Sequence, residues 1–320
     1  MSSLFHACDE NNLYLLPQLI AHPNIKNIIN ETSDVHGKRW TPLFAACASG
    51  NGEVVRQLLE VENIDVNKCE MMYGMTPLFM ASMLGHDECV RFLLQHPSIK
   101  VNKTANQYHA TPLYFAASKG NINVVAQLLK RDDVHVNKGT SDNGSTPLLG
   151  AIQGGHTQVV KALLGDKRVD INQGRSDDGS TPLYFAAEYR QPAIAKLLLG
   201  HPEIDVNKSN RLNQNALHIA CENKDSKMVK ILLKHPNINV TAKATSISSS
   251  KEFDALYAAK SCKEVKGYIK KAIKHRCLTC NKNGKFKKCG RCKKAYYCSE
   301  DCQRKDWKRH KIECKNYKSV

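Results

Sequence analysis

Long apolar runs are missing from this chain. No stretch approaches the eighteen apolar residues that a membrane-crossing helix needs, so no span is expected. The first residues, MSSLFHACDENN, have neither a basic start nor an extended apolar segment, so they do not read as a secretory signal. The chain is therefore expected in the cytoplasm or nucleus, where thiols bind metal or pack in cores more often than they pair as disulfides. Catalytic signatures are missing too. There is no GxxxxGK[ST] phosphate loop, no GxSxG elbow and no HExxH metal helix.

Net charge is small in one part and large in another. Residues 1–250 hold 25 Lys and Arg against 23 Asp and Glu, a balance of +2. Residues 251–320 hold 22 against 7, a balance of +15, so the basic character of the chain belongs to its last seventy residues. Such a tail can attract nucleic acid or acidic proteins, or it can be a solvated lysine surface.

What the chain does have is a repeat. The tripeptide TPL starts at Thr41, Thr76, Thr111, Thr146 and Thr181, each 35 residues after the last, and NAL at Asn215 continues the series after 34. A fixed period of this length marks a repeat array. Weaker copies flank it: Leu4 lies 39 residues before Leu43, and Leu256 lies 39 after Leu217. Degenerate end units are expected, because one face of each has no neighbour.

Each unit reads as two short helices and a loop. Thr-Pro is a helix start, the hydroxyl capping free N–H groups and Pro fitting the first turn. The first helix is small inside, as in FAACASG and YFAASKG. The second carries an apolar face, Val54, Val55, Leu58 and Leu59, repeated at Val124, Val125, Leu128 and Leu129. His-Pro at 96–97, 201–202 and 235–236 stops the second helix, because proline disfavours helical geometry in the residue before it. His96, His201 and His235 therefore read as helix-end residues, and Cys8, Cys47 and Cys221 as small core residues of the first helix.

The last part carries Cys277, Cys280, Cys289, Cys292, Cys298, Cys302, His310 and Cys314, spaced C-x2-C-x8-C-x2-C-x5-C-x3-C-x7-H-x3-C. Zinc prefers four tetrahedral S or N ligands, and eight are two complete sets with none left over. About 38 residues are too few to fold on an apolar core alone, so the metal is expected to stabilise this segment. Spacing alone does not say which ligands share an ion. Seven thiolates and two ions would bring the tail nearer +12.

On the Thr-Pro-Leu starts, the Ala-Ala helices, SGNGEVVRQLL at 49–59 and the DVN after the second helix, residues 1–273 resemble the ankyrin repeat family. The departures are the histidine usual after Thr-Pro-Leu, kept only as His218, His-Pro in place of a glycine, and a period of 35 rather than 33. The resemblance implies a mainly α solenoid that binds proteins through its loops and concave face, without catalysis. Residues 277–314 resemble the MYND zinc finger at all eight ligand positions. That resemblance implies two structural zinc ions with interleaved ligands: Cys277, Cys280, Cys298 and Cys302 on one, and Cys289, Cys292, His310 and Cys314 on the other. It also implies binding of proline-containing peptides against Gln303 and Trp307, although Gly290 stands where a peptide-binding member can use a polar side chain. No SET methyltransferase segment accompanies the finger. Residues 315–320 are left as a tail.

The loop tips and the concave side of the repeats collect large apolar residues in the second to fourth units: Trp40, Met72, Tyr73, Met75, Met83, Leu84 and Tyr108, with His109 beside them. The corresponding loops of the next two units hold Asp142, Asn143 and Ser145, then Asp177, Asp178 and Ser180. Clustered exposed apolar groups mark interaction sites. The expectation is a non-enzymatic adaptor whose solenoid binds one protein and whose finger binds another. Two rival readings are a nucleic-acid binder using the basic tail and a component of a ubiquitin ligase.

Overall fold

The computed structural model describes residues 2–35, 38–105, 108–245 and 252–274, with the two-residue strands 287–288 and 296–297. The chain forms two compact units, 1–177 and 178–320, each described by itself.

The first unit opens with helices α1 (Ser2–Asp9), α2 (Leu16–Ile20) and α3 (Ile25–Ile28) and a hairpin of β1 (Ser33–Val35) with β2 (Lys38–Trp40), antiparallel with Ser33 opposite Trp40. Four helix pairs follow: α4 (Pro42–Ser49) with α5 (Gly52–Leu59), α6 (Pro77–Leu84) with α7 (Asp87–Gln95), α8 (Pro112–Lys119) with α9 (Ile122–Leu129), and α10 (Pro147–Gln153) with α11 (Thr157–Leu164). First helices stack on first helices, α1 to α4 to α6 to α8 to α10, and second on second, α5 to α7 to α9 to α11. The second unit repeats the plan with α12 (Pro182–Glu188), α13 (Pro192–Leu199), α14 (Ala216–Glu222) and α15 (Ser226–Leu233). It adds a hairpin of β3 (Lys243–Thr245) with β4 (Glu252–Asp254), the short helix α16 (Ala255–Ala258), and α17 (Lys263–Lys274), which packs on α15. The degenerate end copies at Leu4 and Leu256 thus fall on helices, as the repeat spacing predicts.

Each Thr-Pro pair starts a first helix through its side chain. The hydroxyls of Thr41, Thr76, Thr111, Thr146 and Thr181 accept from the backbone N–H three residues on, at 3.1, 3.1, 3.2, 3.3 and 3.2 Å. Thr111→Ala is expected to cost about 1 kcal/mol in urea unfolding, and Thr111→Ser to restore most of it.

Small first helices allow the close stacking. Ala45, Ala46, Ala116, Ala117, Ala186 and Ala187 are fully buried, as are Cys8, Cys47 and Cys221 on the first helices of their own units. Burial pushes the thiols of Cys8 and Cys221 up to about 12, which fits their reading as core residues. Val54, Val55, Leu58, Val124, Val125 and Leu128 are buried as their spacing predicts, whereas Leu59 and Leu129 are only half-buried.

Polar side chains tie one repeat to the next. The asparagine of the DVN-type motif recurs as Asn30, Asn67, Asn102, Asn137 and Asn207. Its amide donates to a carbonyl of the following repeat, at Asn63, Ser98, Asp133, Arg168 and Asn237 respectively. Its oxygen accepts from the backbone N–H of Asp65, Lys100, His135, Asp170 and Asn239. A second row starts the second helices: the amides of Asn51 and Asn121 donate to the carbonyls of Cys8 and Ser82, and His86 and His156 present Nε2 to those of Ala48 and Ser118. The His-Pro motif has its own function. Nδ1 of His96, His201 and His235 accepts from the N–H two residues on, past the proline, at 3.3 Å in each case.

His218 is buried at the start of α14. Its Nδ1 accepts from the Asn215 N–H and its Nε2 lies 3.0 Å from the Ala242 carbonyl. Burial outweighs that carbonyl and the Asp254 carboxylate and holds its pKa below the ordinary 6.5. The unfolded chain therefore takes up the proton first. The stabilisation is complete above pH 6.5 and is lost as the pH falls from there toward the folded value. His218→Tyr, the residue at the matching place in two other repeats, is expected to flatten that acid segment of a melting-temperature profile.

Candidate functional site

The loop between α5 and α6 is shaped by one buried carboxylate. Glu70, 5% exposed, accepts from the backbone N–H groups of Met72 at 2.7 Å, Tyr73 at 2.5 Å and Met75 at 3.2 Å. Its own N–H donates to the Met75 carbonyl at 2.9 Å, and Gly74 turns the chain at φ +67°. With the carboxylate spent on the backbone, the large side chains of this loop point outward. Met72 is 67% exposed and Tyr73 56%. In the next loop Ala105 pairs with Ala110 across a turn that includes Tyr108 and His109, and the Tyr108 carbonyl accepts from the Ser141 N–H at 2.7 Å.

These two loops and the helices beneath them enclose a groove of about 630 Å³. Met72, Tyr73, Met75 and Tyr108 line it from the loops, Phe79 and Met83 from α6, and Phe115 from α8. Phe79 and Phe115 meet with ring centroids 5.0 Å apart. Among the described residues that line it there is no carboxylate, amine, imidazole or thiol, and what they offer is apolar contact and tyrosine hydroxyls. Methionine and aromatic walls adapt to irregular apolar partners.

Five of the eight residues singled out in the sequence therefore come together: Met72, Tyr73, Met75, Met83 and Tyr108. Three do not line the groove. Trp40 is half-buried, with its ring 5.1 Å from that of Phe44. Leu84 and His109 are exposed outside the lining set. Sequence reading missed Phe79 and Phe115, although TPLF and TPLYF carry them, and it missed Glu70. The signal for Glu70 was positional: Thr140 stands at the same place one loop later than Ala105, and its hydroxyl likewise accepts from the Ser145 N–H.

The polar loops of the later repeats are occupied by their own turns. Asn143 accepts from the Ser145 N–H at 2.9 Å. In the second unit, Asp178 accepts from both the N–H and the hydroxyl of Ser180 at 2.8 Å.

The eight zinc-ligand positions, Cys277, Cys280, Cys289, Cys292, Cys298, Cys302, His310 and Cys314, lie outside the described residues, as do Gln303 and Trp307. Among them runs one described ladder, β5 (Lys287–Lys288) antiparallel to β6 (Tyr296–Tyr297), which joins the residues just before position 289 to those just before position 298. Among the described residues no cluster of three His, Cys, Asp or Glu could hold a metal ion, and no helix is long and apolar enough to cross a membrane.

A family model of ankyrin repeats matches residues 4–105, 101–175 and 168–244, and one of the MYND finger matches residues 275–314. The fold is similar to the crystal structure of the ankyrin repeat domain of Bcl-3, with TM-score 0.63 and 21% identity over 72% of this chain and 96% of that one. It is also similar to the human ASB11 ankyrin repeat domain, with TM-score 0.58 and 24% identity over 73% and 98%. At such identity the likeness shows the fold alone. Curated relatives match in the finger. The "Zinc finger MYND domain-containing protein 10 homolog" of Drosophila melanogaster is 58% identical over 40 residues, 12% of this chain and 9% of that protein. "SET domain-containing protein 14" of Caenorhabditis elegans is 49% identical over 45 residues, 14% and 10%. "N-lysine methyltransferase SMYD2" of Mus musculus is 52% identical over 42 residues, 12% and 10%. The match spans about a tenth of the length of these relatives. Ankyrin repeats and MYND fingers are non-catalytic modules that mediate protein interactions, and the MYND finger implies zinc binding. The chain belongs to the ankyrin repeat family and carries a MYND finger in its last fifty residues.

Proposed function

We propose that this chain is a non-enzymatic adaptor that holds two proteins together, one on the ankyrin repeats and one on the finger. The observation that carries the reading is the groove of Met72, Tyr73, Met75, Met83 and Tyr108, whose loop-tip side chains are exposed while Glu70 fixes the backbone that presents them. Tyrosines placed in this way are the residue type enriched at binding hot spots. The finger is taken to hold two zinc ions on the interleaved ligand sets, with Gln303 and Trp307 meeting a proline-containing peptide. The methyltransferase activity in the names of some finger relatives is not carried over, because the match covers their finger alone. The buried free thiols of Cys8, Cys47, Cys89 and Cys221 support a reducing compartment, cytoplasm or nucleus.

The test is affinity purification with the intact chain, a Tyr73→Ala/Tyr108→Ala variant and a Gln303→Ala variant. An adaptor loses one set of partners with the first variant and a different set with the second. Loss of the same set with both would make the chain a single-partner protein and end the adaptor reading.

A further inference from the structure

Helix α17 of the second unit has two faces of opposite character. Val265 and Ile269 are completely buried, and the helix packs on α15. At about 100° per residue, Lys263, Lys266 and Lys270 fall in one stripe about 60° wide that runs along one flank of the buried face, Lys266 nearest to it and Lys263 farthest from it. Lys263 and Lys270 are exposed and Lys266 is half-buried, with Lys260 and Lys271 exposed beside them. The acid of this helix, Glu264, is engaged elsewhere: it lies 3.6 Å from Lys230 Nζ and accepts from the Tyr268 hydroxyl at 2.7 Å.

Gly267 sits between Lys266 and Lys270 in the middle of the helix. A Cβ there would meet nothing within 4 Å, and its φ is not positive. Neither packing nor backbone conformation calls for glycine at this place, although an interior glycine costs a helix about 1 kcal/mol relative to alanine. What it leaves is bare backbone between two lysines, open to close approach from outside.

We infer that this face binds nucleic acid through its phosphate backbone. A helix that lies on a lipid surface turns its apolar face to the membrane, whereas α17 buries that face on α15 and shows lysines outward. α17 carries no Arg, Asn or Gln to read base edges, so its lysines are assigned to phosphates, contacts that are independent of sequence. A row of cations matches an evenly charged linear polyanion, and the sequence that follows α17 is itself basic, with 15 Lys and Arg against 4 Asp and Glu in residues 275–320. This function is separate from the adaptor reading and does not depend on it.

The test uses the full chain, a labelled mixed-sequence single-stranded oligonucleotide and fluorescence anisotropy over a salt series. Removing three phosphate contacts with Lys263→Gln/Lys266→Gln/Lys270→Gln should make the log–log salt slope shallower by about 2. Between about 50 and about 200 mM salt the intact chain should then lose about 20-fold more affinity than the variant does. The matching triple Lys→Arg variant should bind as the intact chain does. Gly267→Leu should weaken binding several-fold without lowering the melting temperature, because leucine is the better helix former. Unchanged affinity and slope in the triple Gln variant would overturn the inference. So would unchanged binding in Gly267→Leu, or a preference for phosphatidylserine vesicles that disappears with the three lysines.

Discussion

Chelating zinc from the purified chain is expected to unfold the finger and leave the helix pairs standing. A structural zinc site supplies roughly 10–16 kcal/mol in finger peptides, far more than a segment of about 38 residues can gain from its own core. The repeats are expected to stand without the metal. Their cohesion comes from buried layers such as Ala45, Ala46, Val54, Val55 and Leu58, and among the described residues no metal cluster is present. Far-ultraviolet circular dichroism should therefore keep most of its helical signal after chelation, while elemental analysis before it gives two zinc ions per chain. Cys298→Ser sharpens the test. If the ligand sets interleave, position 298 ties the second half of the finger to the first, and the variant should release both ions. Retention of one ion, with the part around Cys289 and His310 still protected from proteolysis, would show sequential rather than interleaved sites.

Much of the array was legible because its signals are local and recur. Thr-Pro fixes a helix start by a hydroxyl and a ring, so five first helices begin where the tripeptide says. Apolar spacing identified Val54, Val55 and Leu58, but it overcounted at Leu59, because the fourth position lies at the edge of the buried face. The asparagine rows were harder to read. Asn67 and its counterparts look like loop residues until the next repeat supplies the carbonyl and the N–H that they bridge. The groove was half legible for the same reason. Exposed methionine and tyrosine at loop tips stand out in a sequence, while the place of Phe79 and Phe115 under them depends on how α6 meets α8. Trp40 shows the limit of reading position alone. It lies in the loop before its first helix as Tyr73 and Tyr108 do, but at the repeat place of Met75 and Ala110, and it is half-buried beside Phe44.

Glu70→Ala and Tyr73→Ala should weaken ligand binding in the groove by different routes. The ligand for this measurement is an apolar peptide selected on the intact chain and shown to compete with its partner. Tyr73 is exposed, so Tyr73→Ala removes contact area and should cost roughly 1–3 kcal/mol of affinity with little change in melting temperature. Glu70 does not line the groove, but its carboxylate accepts three backbone N–H groups of the loop. Glu70→Ala strands those donors, and it should lower stability by about 1–3 kcal/mol and affinity as well. The two losses of affinity should not add. Once the loop is no longer held, Tyr73 is no longer placed, so the double variant should bind little worse than Glu70→Ala alone, a coupling that a double-mutant cycle reads directly. Trp40→Ala is the contrasting control: its ring packs beside Phe44 and outside the groove, so its effect should appear in stability and leave peptide affinity unchanged. Full additivity of Glu70→Ala and Tyr73→Ala would mean that Glu70 does not position the tyrosine. A Tyr73→Ala variant that melts clearly lower and binds the peptide as before would assign the loop tip to folding, and the docking site would then lie elsewhere on the repeats.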